Sequence, residues 1–116
     1  MLTPYMIYKP KQLKKNFQEL ENLSKKYLNK YIIAYSVKTN NYKQVIEDLH
    51  SLGSNFEVAS LKEIGLTPIM AKVFNGSCKT EEELSIAIKQ KHLINVDSVS
   101  EIEKISKLVK GKKHNI

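Results

Sequence analysis

The chain has 116 residues, 41% of them hydrophobic, and its 19 basic and 12 acidic residues give a formal net charge of +7. This length suits one small domain or part of a larger one, and no apolar stretch approaches the roughly 20 residues of a membrane span. The first residues predict no secretory signal, and the single cysteine, Cys78, excludes a disulfide framework and favours a reducing, cytoplasmic setting.

The basic charge is scattered along the chain. Its densest lysine run, from Lys110 to Lys113, is interrupted by glycine, and no aromatic residues are interleaved with the lysines. We interpret the charge as a solvated surface and predict neither a nucleic-acid partner nor a membrane partner. Steeply salt-dependent binding would favour the nucleic-acid alternative.

Apolar periodicity divides the chain into alternating strands and helices. A short strand is predicted at residues 3–8 and a long amphipathic helix at residues 11–29. Four units of strand, polar turn and helix follow. Their strands are predicted at residues 31–37, 55–59, 71–75 and 93–97, and their helices at residues 42–52, 61–66, 81–91 and 99–109. Residues 114–116 are predicted to begin a fifth strand.

Each of these four helices is predicted to begin with a capping box. In this motif the first side chain accepts a hydrogen bond from the amide three residues later, and the later side chain reaches back. The pairs are Asn41 with Gln44, Ser60 with Glu63, Thr80 with Glu83, and Ser98 with Glu101. Gly53, Gly65 and Gly111 stand where helices are predicted to end.

The regular alternation predicts the fold class. Strands that alternate with helices indicate βαβ units and a parallel sheet, and the continuous apolar run at residues 31–37 is typical of a strand covered on both faces. A (β/α)8 barrel takes eight such units and about 250 residues. We therefore predict an α/β fold that forms about half of such a barrel, preceded by a strand and a long helix. A small open doubly wound sheet is the alternative.

Ligands bind at the carboxyl ends of parallel strands, which directs attention to Lys38 and Glu57. Lys38 follows the first buried strand. A desolvated lysine becomes a nucleophile that can form a Schiff base, whereas the alternative is a side chain that extends into water. Glu57 lies between Phe56 and Val58, so its side chain points to the opposite face. That face is either the barrel lumen, near Lys38, or solvent.

The remaining reactive residues indicate no second site. We interpret Cys78 as a free loop thiol, because no histidine is placed to form a dyad with it. His50, His92 and His114 lack metal-ligand spacing, so no metal site is predicted. A lone glycine at position 76 does not make a phosphate-binding loop.

The sequence around Lys38 resembles a known family. TPYMIY at residues 3–8 and YSVKTN at residues 35–40 are similar to the start of the pyridoxal-phosphate-dependent decarboxylases of the alanine-racemase-like fold. This family includes the diaminopimelate, ornithine and arginine decarboxylases. FEVASLKEI at 56–64, VFNGSCKTEEEL at 73–84 and INVDSVSEIEKI at 94–105 resemble further family motifs in the same order.

The resemblance implies a cofactor, pyridoxal 5'-phosphate, held by Lys38 as an internal aldimine. It also implies that Glu57 lies near the cofactor, in the place of the family's usual aspartate. Residues 1–9 would form a leading strand that joins a C-terminal β domain, and residues 10–116 the N-terminal half of the cofactor-binding barrel. The chain departs from the family pattern at Ser77, which replaces a proline, and in a shorter segment between Ser60 and Phe74.

The expected function is that of the N-terminal part of an amino-acid decarboxylase. Diaminopimelate, which gives lysine, is the first choice of substrate, and the complete enzyme would be a cytoplasmic homo-oligomer. In the family the phosphate-binding loop and the groups that contact the cofactor ring lie in the second half of the barrel. We therefore expect the isolated chain to have little or no activity. The alternative is a non-catalytic half-barrel that binds a partner or oligomerises.

Overall fold

The computed structural model describes residues 3–68, 72–111, 113–114 and 116. Helices and strands alternate through these residues. The elements are α1 (Pro10–Tyr27), β1 (Ala34–Ser36), α2 (Lys43–Ser51), β2 (Asn55–Val58), α3 (Leu61–Leu66), β3 (Lys72–Phe74), α4 (Glu81–Lys89), β4 (Leu93–Ile94) and α5 (Val99–Val109). A short 3-10 turn, Val37–Thr39, directly follows β1.

The four strands form one sheet in the order β1-β2-β3-β4, and every neighbouring pair is parallel. The predicted parallel sheet and its four strand–helix units are therefore confirmed. One row across the sheet places Ser36 beside Glu57, Glu57 beside Val73, and Val73 beside Leu93. All strands end at the same edge, so the loops that follow them are neighbours.

The two faces of the sheet differ in burial. Fully buried side chains point to one face: Phe56, Val58, Phe74 and Ile94. Partly buried side chains point to the other: Ser36, Glu57, Val73 and Leu93. Because successive strand residues point to opposite faces, this alternation places the helices on the first face and leaves the second less covered.

The hydrophobic core lies between the helices and the covered face. Apolar residues on the inner sides of the helices recur at intervals of three or four: Val45, Ile46 and Leu49 on α2, and Leu84 and Ala87 on α4. Fully burying a side chain such as Leu84 stabilises the fold by roughly 1.5–3 kcal/mol. This core fixes the strands and hence the loops at their carboxyl ends.

The structure contains no strand at residues 3–8, where one is predicted. A strand needs a neighbour to complete its hydrogen bonds, and none of the described residues pairs with this segment. Instead, the Tyr8 hydroxyl donates to the Asp48 carboxylate of α2, and its ring meets that of Tyr42 edge to face. Partial burial and this hydrogen bond raise the pKa of Tyr8 to about 12, so the hydroxyl stays a donor at neutral pH.

Three predicted caps are confirmed. Ser60, Thr80 and Ser98 each accept a hydrogen bond from the amide three residues later, and Thr80 with Glu83 forms the complete capping box. The predicted cap at Asn41 is wrong, because α2 has Tyr42 as its N-cap. The neighbouring Asn40 turns its Oδ1 toward the Tyr42 amide at 2.9 Å, which starts the helix one residue later.

Other boundaries differ from the predictions in smaller ways. Gly53 and Gly111 follow their helices with φ of +84° and +78°, a conformation that glycine adopts without strain, whereas Gly65 lies inside α3. Strand β4 has two residues instead of five. Residue 71 of the predicted third strand and residue 115 of the predicted fifth lie outside the described residues, and residues 114 and 116 are in no strand.

Within the described ranges, no helix is long and apolar enough to cross a membrane.

Candidate functional site

Lys38 lies in the 3-10 turn at the carboxyl end of β1, and its side chain is exposed. Of the two alternatives for Lys38, the structure therefore shows the side chain that extends into water. The turn itself is held in place. Tyr35 donates its hydroxyl to the carbonyl of Asn40 at 3.1 Å, and Asn40 in turn fixes the start of α2. Burial raises the pKa of Tyr35, so this donor keeps its proton at neutral pH.

Ser36 and Glu57 lie side by side on β1 and β2, two residues before Lys38 and at the end of the neighbouring strand. Ser36 Oγ and Glu57 Oε1 are buried and lack a hydrogen-bond partner among the described residues. A buried polar atom without a partner costs roughly 1–3 kcal/mol. Both residues occupy strand positions that point to the less covered face of the sheet.

Lys38 and Glu57 thus lie at the same edge of the sheet, on adjacent strands. No ion pair joins them in the part of the chain that the structure describes. A ligand between them would meet an amine on one side and a carboxylate on the other. This arrangement can hold a molecule that carries both an electrophilic carbon and a hydrogen-bond donor.

A buried ion pair, Lys79 with Glu101, supports the same edge of the sheet. The Lys79 ammonium lies 2.9 Å from Glu101 Oε2, and it also donates to the carbonyl oxygens of Gly76 and Asn95 at 2.6 and 2.8 Å. Glu101 Oε2 accepts a further bond from the Asp97 amide at 2.9 Å. One lysine therefore connects the loop after β3 with the loop after β4 and the start of α5.

This ion pair is the feature that the sequence analysis missed. Glu101 fits a capping box with Ser98, and its amide does bond to the Ser98 side chain. Its carboxylate, however, reaches past Ser98 to Asp97 and Lys79. Glu63 behaves similarly and accepts from the Ala59 amide, one residue before its own cap, at 2.7 Å. The capping pattern therefore concealed a tertiary contact that spans 22 residues.

The loops after β2 and β3 are also in contact. Gly76 has a φ of +141°, and a Cβ at this position would lie 3.6 Å from the Cβ of Ala59. A side chain at this φ would strain the backbone, which explains glycine here. Together with the Lys79 bonds, this contact makes the loops after β2, β3 and β4 one connected rim beside Lys38.

A second set of buried polar side chains, Lys72 and His92, lies where the strands begin, at the opposite end of the sheet from Lys38. Lys72 opens β3 and donates to the carbonyl of Ile64 at 2.9 Å, and burial lowers its pKa. His92 immediately precedes β4 and is 1% exposed, and its Nδ1 lacks a partner among the described residues. Burial, with help from Lys72 and His114, lowers the pKa of His92 to about 4. These residues contribute to the core and are remote from the carboxyl ends of the strands.

Cys78 is an exposed thiol in the loop after β3. Its φ is +60°, an uncommon value for a residue other than glycine. Among the described residues, no group of three or more histidine, cysteine, aspartate or glutamate side chains could hold a metal ion.

Comparison with known proteins assigns this chain to a family. The profile of the "Pyridoxal-dependent decarboxylase, pyridoxal binding domain" matches residues 12–116. A rice protein (Oryza sativa subsp. japonica) described as a probable chloroplastic diaminopimelate decarboxylase is 32% identical over 96% of this chain and 24% of its own length. The diaminopimelate decarboxylase of Methanocaldococcus jannaschii is 30% identical over 93% of this chain and 27% of its own.

A solved structure agrees with the sequence comparison. The crystal structure of Helicobacter pylori diaminopimelate decarboxylase complexed with L-lysine matches 95% of this chain and 29% of that one, with a TM-score of 0.83 and 25% identity. The sheet and helices correspond to the N-terminal part of the decarboxylase barrel, so the predicted half-barrel is confirmed. The chain spans about a quarter of the length of these relatives. It belongs to the pyridoxal-phosphate-dependent decarboxylases and corresponds to part of their cofactor-binding domain.

Proposed function

We propose that this chain supplies the Lys38 side of the cofactor site in an amino-acid decarboxylase that acts on diaminopimelate. One observation carries the proposal. Lys38 follows the carboxyl end of β1, and the paired strand residues Ser36 and Glu57 each have a buried oxygen atom without a hydrogen-bond partner among the described residues. Pyridoxal phosphate carries an aldehyde that can react with the lysine amine. It also carries polar ring substituents that can form hydrogen bonds with the Ser36 and Glu57 oxygen atoms, so these residues fit the cofactor.

Each residue then has a defined task. The Lys38 amine is the point of covalent attachment, and its exposure lets a cofactor approach from the less covered face. The Glu57 carboxylate accepts a hydrogen bond or balances a positive charge on the bound group. The Tyr35 and Asn40 bonds limit the motion of the Lys38 turn. When bound, pyridoxal phosphate acts as the electron sink that makes loss of carbon dioxide possible.

The choice of substrate rests on the relatives. Those compared above are named diaminopimelate decarboxylases, and the Helicobacter pylori structure contains L-lysine. We propose the same reaction for the protein to which this sequence contributes. Because the chain spans about a quarter of its relatives, we expect it to release little or no carbon dioxide from diaminopimelate on its own.

The remaining assignments extend this proposal. Residues 1–9 are proposed to pair with a C-terminal β domain, which the exposed side chains of Tyr5, Met6 and Ile7 support. Residues 10–116 are proposed as the first half of the barrel. A cytoplasmic setting and a homodimeric enzyme complete the proposal, whereas the rice relative is named as chloroplastic.

Reductive labelling tests the role of Lys38. The purified chain is incubated with pyridoxal phosphate at a limiting concentration and reduced with borohydride, and the product is analysed by intact mass and peptide mapping. We expect one adduct, on Lys38. Lys38→Arg should remove it, whereas Lys43→Arg, at an exposed position on α2, should retain it.

Two labelling outcomes would contradict the role proposed for Lys38. Labelling spread over many lysines, or unchanged labelling in Lys38→Arg, would show that the turn after β1 shapes no cofactor site. Measurable carbon dioxide release from diaminopimelate by the isolated chain would leave Lys38 in its role but overturn the expectation of inactivity.

A further inference from the structure

We propose that a small monovalent anion of the size of chloride binds between the buried side chains of Lys72 and His92, where β3 and β4 begin. This site lies at the end of the sheet opposite Lys38, so the inference goes beyond the proposed cofactor chemistry and does not depend on it. It follows from the register of two adjacent strands, from burial, from hydrogen bonding and from local charge.

Lys72 and His92 are neighbours on the covered face of the sheet. Lys72 is the first residue of β3, and His92 immediately precedes β4. Each stands one residue before a member of the pair formed by Val73 and Leu93. Because successive strand residues point to opposite faces, both polar side chains point away from that pair and toward the helices. Lys72 is 3% exposed and His92 is 1% exposed, so both are held inside the core.

The Lys72 ammonium uses only part of its hydrogen-bonding capacity. It carries three N–H donors. Its one acceptor among the described residues is the carbonyl oxygen of Ile64, at 2.9 Å, and Thr67 Oγ1 donates to the same oxygen at 3.1 Å. No ion pair in the described part of the chain includes Lys72. A buried cation without a counter-ion is costly, so an anion beside Lys72 would stabilise the fold.

His92 offers a second donor to the same anion. Its Nδ1 atom is buried and has no hydrogen-bond partner within the described ranges. Burial, followed by the charge of Lys72, lowers the pKa of His92 to about 4, so the ring is neutral at pH 7. A neutral imidazole has one N–H donor. With the proton on Nδ1, the ring donates to an anion that the Lys72 ammonium also contacts.

The two strand–helix units around this region place their acidic residues elsewhere. No acidic residue stands between Glu63 and Glu81, or between Glu83 and Asp97. These four residues belong to the opposite end of the sheet, where α3 and α4 begin and β4 has ended. The chain therefore brings no carboxylate from these two units to balance the charge of Lys72.

The surroundings of the proposed site are basic instead. The exposed Lys89 and Lys91 stand at the end of α4, directly before His92. His114 Nε2 lies 2.9 Å from the carbonyl oxygen of His92. Clustered cationic groups raise the local concentration of anions. Water could also contact both polar groups, but it would leave the buried positive charge without a counter-ion.

Urea unfolding in chloride tests the proposal. Gluconate, a much larger anion, replaces chloride at constant ionic strength, so that screening of surface charges does not change. The folding equilibrium constant of the unmodified chain should rise with chloride, by about elevenfold when chloride reaches ten times its dissociation constant. Lys72→Met removes the buried charge but keeps the apolar stem, and its folding should not depend on chloride. Lys43→Met, at an exposed position on α2, is the matched control and should retain the full increase.

NMR of the unmodified chain provides a second measurement that needs no variant. The ring signals of His92 should shift with added chloride and then saturate, whereas those of the exposed His50 should stay constant. An equal rise of the folding constant in Lys72→Met, no rise in the unmodified chain, or His92 signals that do not move would each overturn the anion site. The last two outcomes would mean that water or a neutral lysine satisfies this part of the core. A failure of Lys38 labelling would leave all of these results unchanged.

Discussion

Glu57 Oε1 is buried without a hydrogen-bond partner among the described residues, an arrangement that lowers stability. This cost agrees with the binding role proposed for Glu57. Residues retained for function commonly carry such a cost. Lys38 contributes differently, since its position at the end of β1 is fixed while its side chain remains exposed.

We therefore expect Glu57→Gln to separate binding from stability. Removing the charge should reduce labelling of Lys38 by pyridoxal phosphate by roughly tenfold, equivalent to about 1.4 kcal/mol. The free energy of unfolding in urea should stay equal or rise. Glu57→Asp, which restores the residue that the family usually has, should retain most of the labelling. Equal losses of labelling and stability in Glu57→Gln would instead assign Glu57 a structural role.

His92 makes stability depend on pH. Burial lowers the pKa of His92 from 6.5 to about 4, so the folded chain binds this proton more weakly than the unfolded chain. The unfolded chain therefore takes up protons as the pH falls below 6.5, and stability is lost down to about pH 4. Between pH 7 and pH 5 the unfolding free energy should fall by about 2 kcal/mol.

Urea unfolding at these two pH values measures the effect. His92→Leu removes the titrating ring and should make the unfolding free energy nearly independent of pH over this range. His50→Leu, at an exposed position on α2, is the matched control and should retain the decrease. If the decrease in unfolding free energy persists in His92→Leu, titrating groups other than His92 cause it.

At the scale of single helices, the caps separate local from tertiary effects. Thr80 accepts from the Glu83 amide, and Glu83 reaches back to Thr80, which together stabilise α4. Thr80→Ala should lower the unfolding free energy by about 1 kcal/mol. Asn41→Ala should change it by about zero, because Asn41 caps nothing in α2. Equal losses of unfolding free energy in Thr80→Ala and Asn41→Ala, measured in urea, would contradict the assignment of the α2 cap to Tyr42.

The Lys79–Glu101 pair is a second prediction at this scale, because it connects β3, β4 and α5. Lys79→Met leaves a buried carboxylate unpaired and should cost about 3–5 kcal/mol. The double variant Lys79→Met with Glu101→Leu removes both charges and should be more stable than either single variant. Lys43→Met, in an exposed pair with Glu47, should change stability by less than about 0.5 kcal/mol. Double-mutant cycles in urea measure the coupling.

These elements show how far the sequence could predict the structure. Local patterns were sufficient for α3 and α5, whose bounds match the predictions, and for the caps at Ser60, Thr80 and Ser98. Their hydrogen bonds lie within a few residues. Local patterns failed where the partner is distant or outside the chain's own sheet. Glu101 fits a cap pattern, but its carboxylate binds Lys79. Residues 3–8 have the composition of a strand, but no strand among the described residues pairs with them.

At the scale of the whole molecule, the same logic explains why half of a barrel is recognisable but incomplete. Each strand–helix unit carries its own pattern, so four units predict the sheet order directly. The sequence pattern of a single unit does not predict which strands pair with the outer strands of the sheet. Further strands and helices are needed to pair with the outer sides of β1 and β4. They are also needed to cover the exposed apolar side chains of α1 and α5.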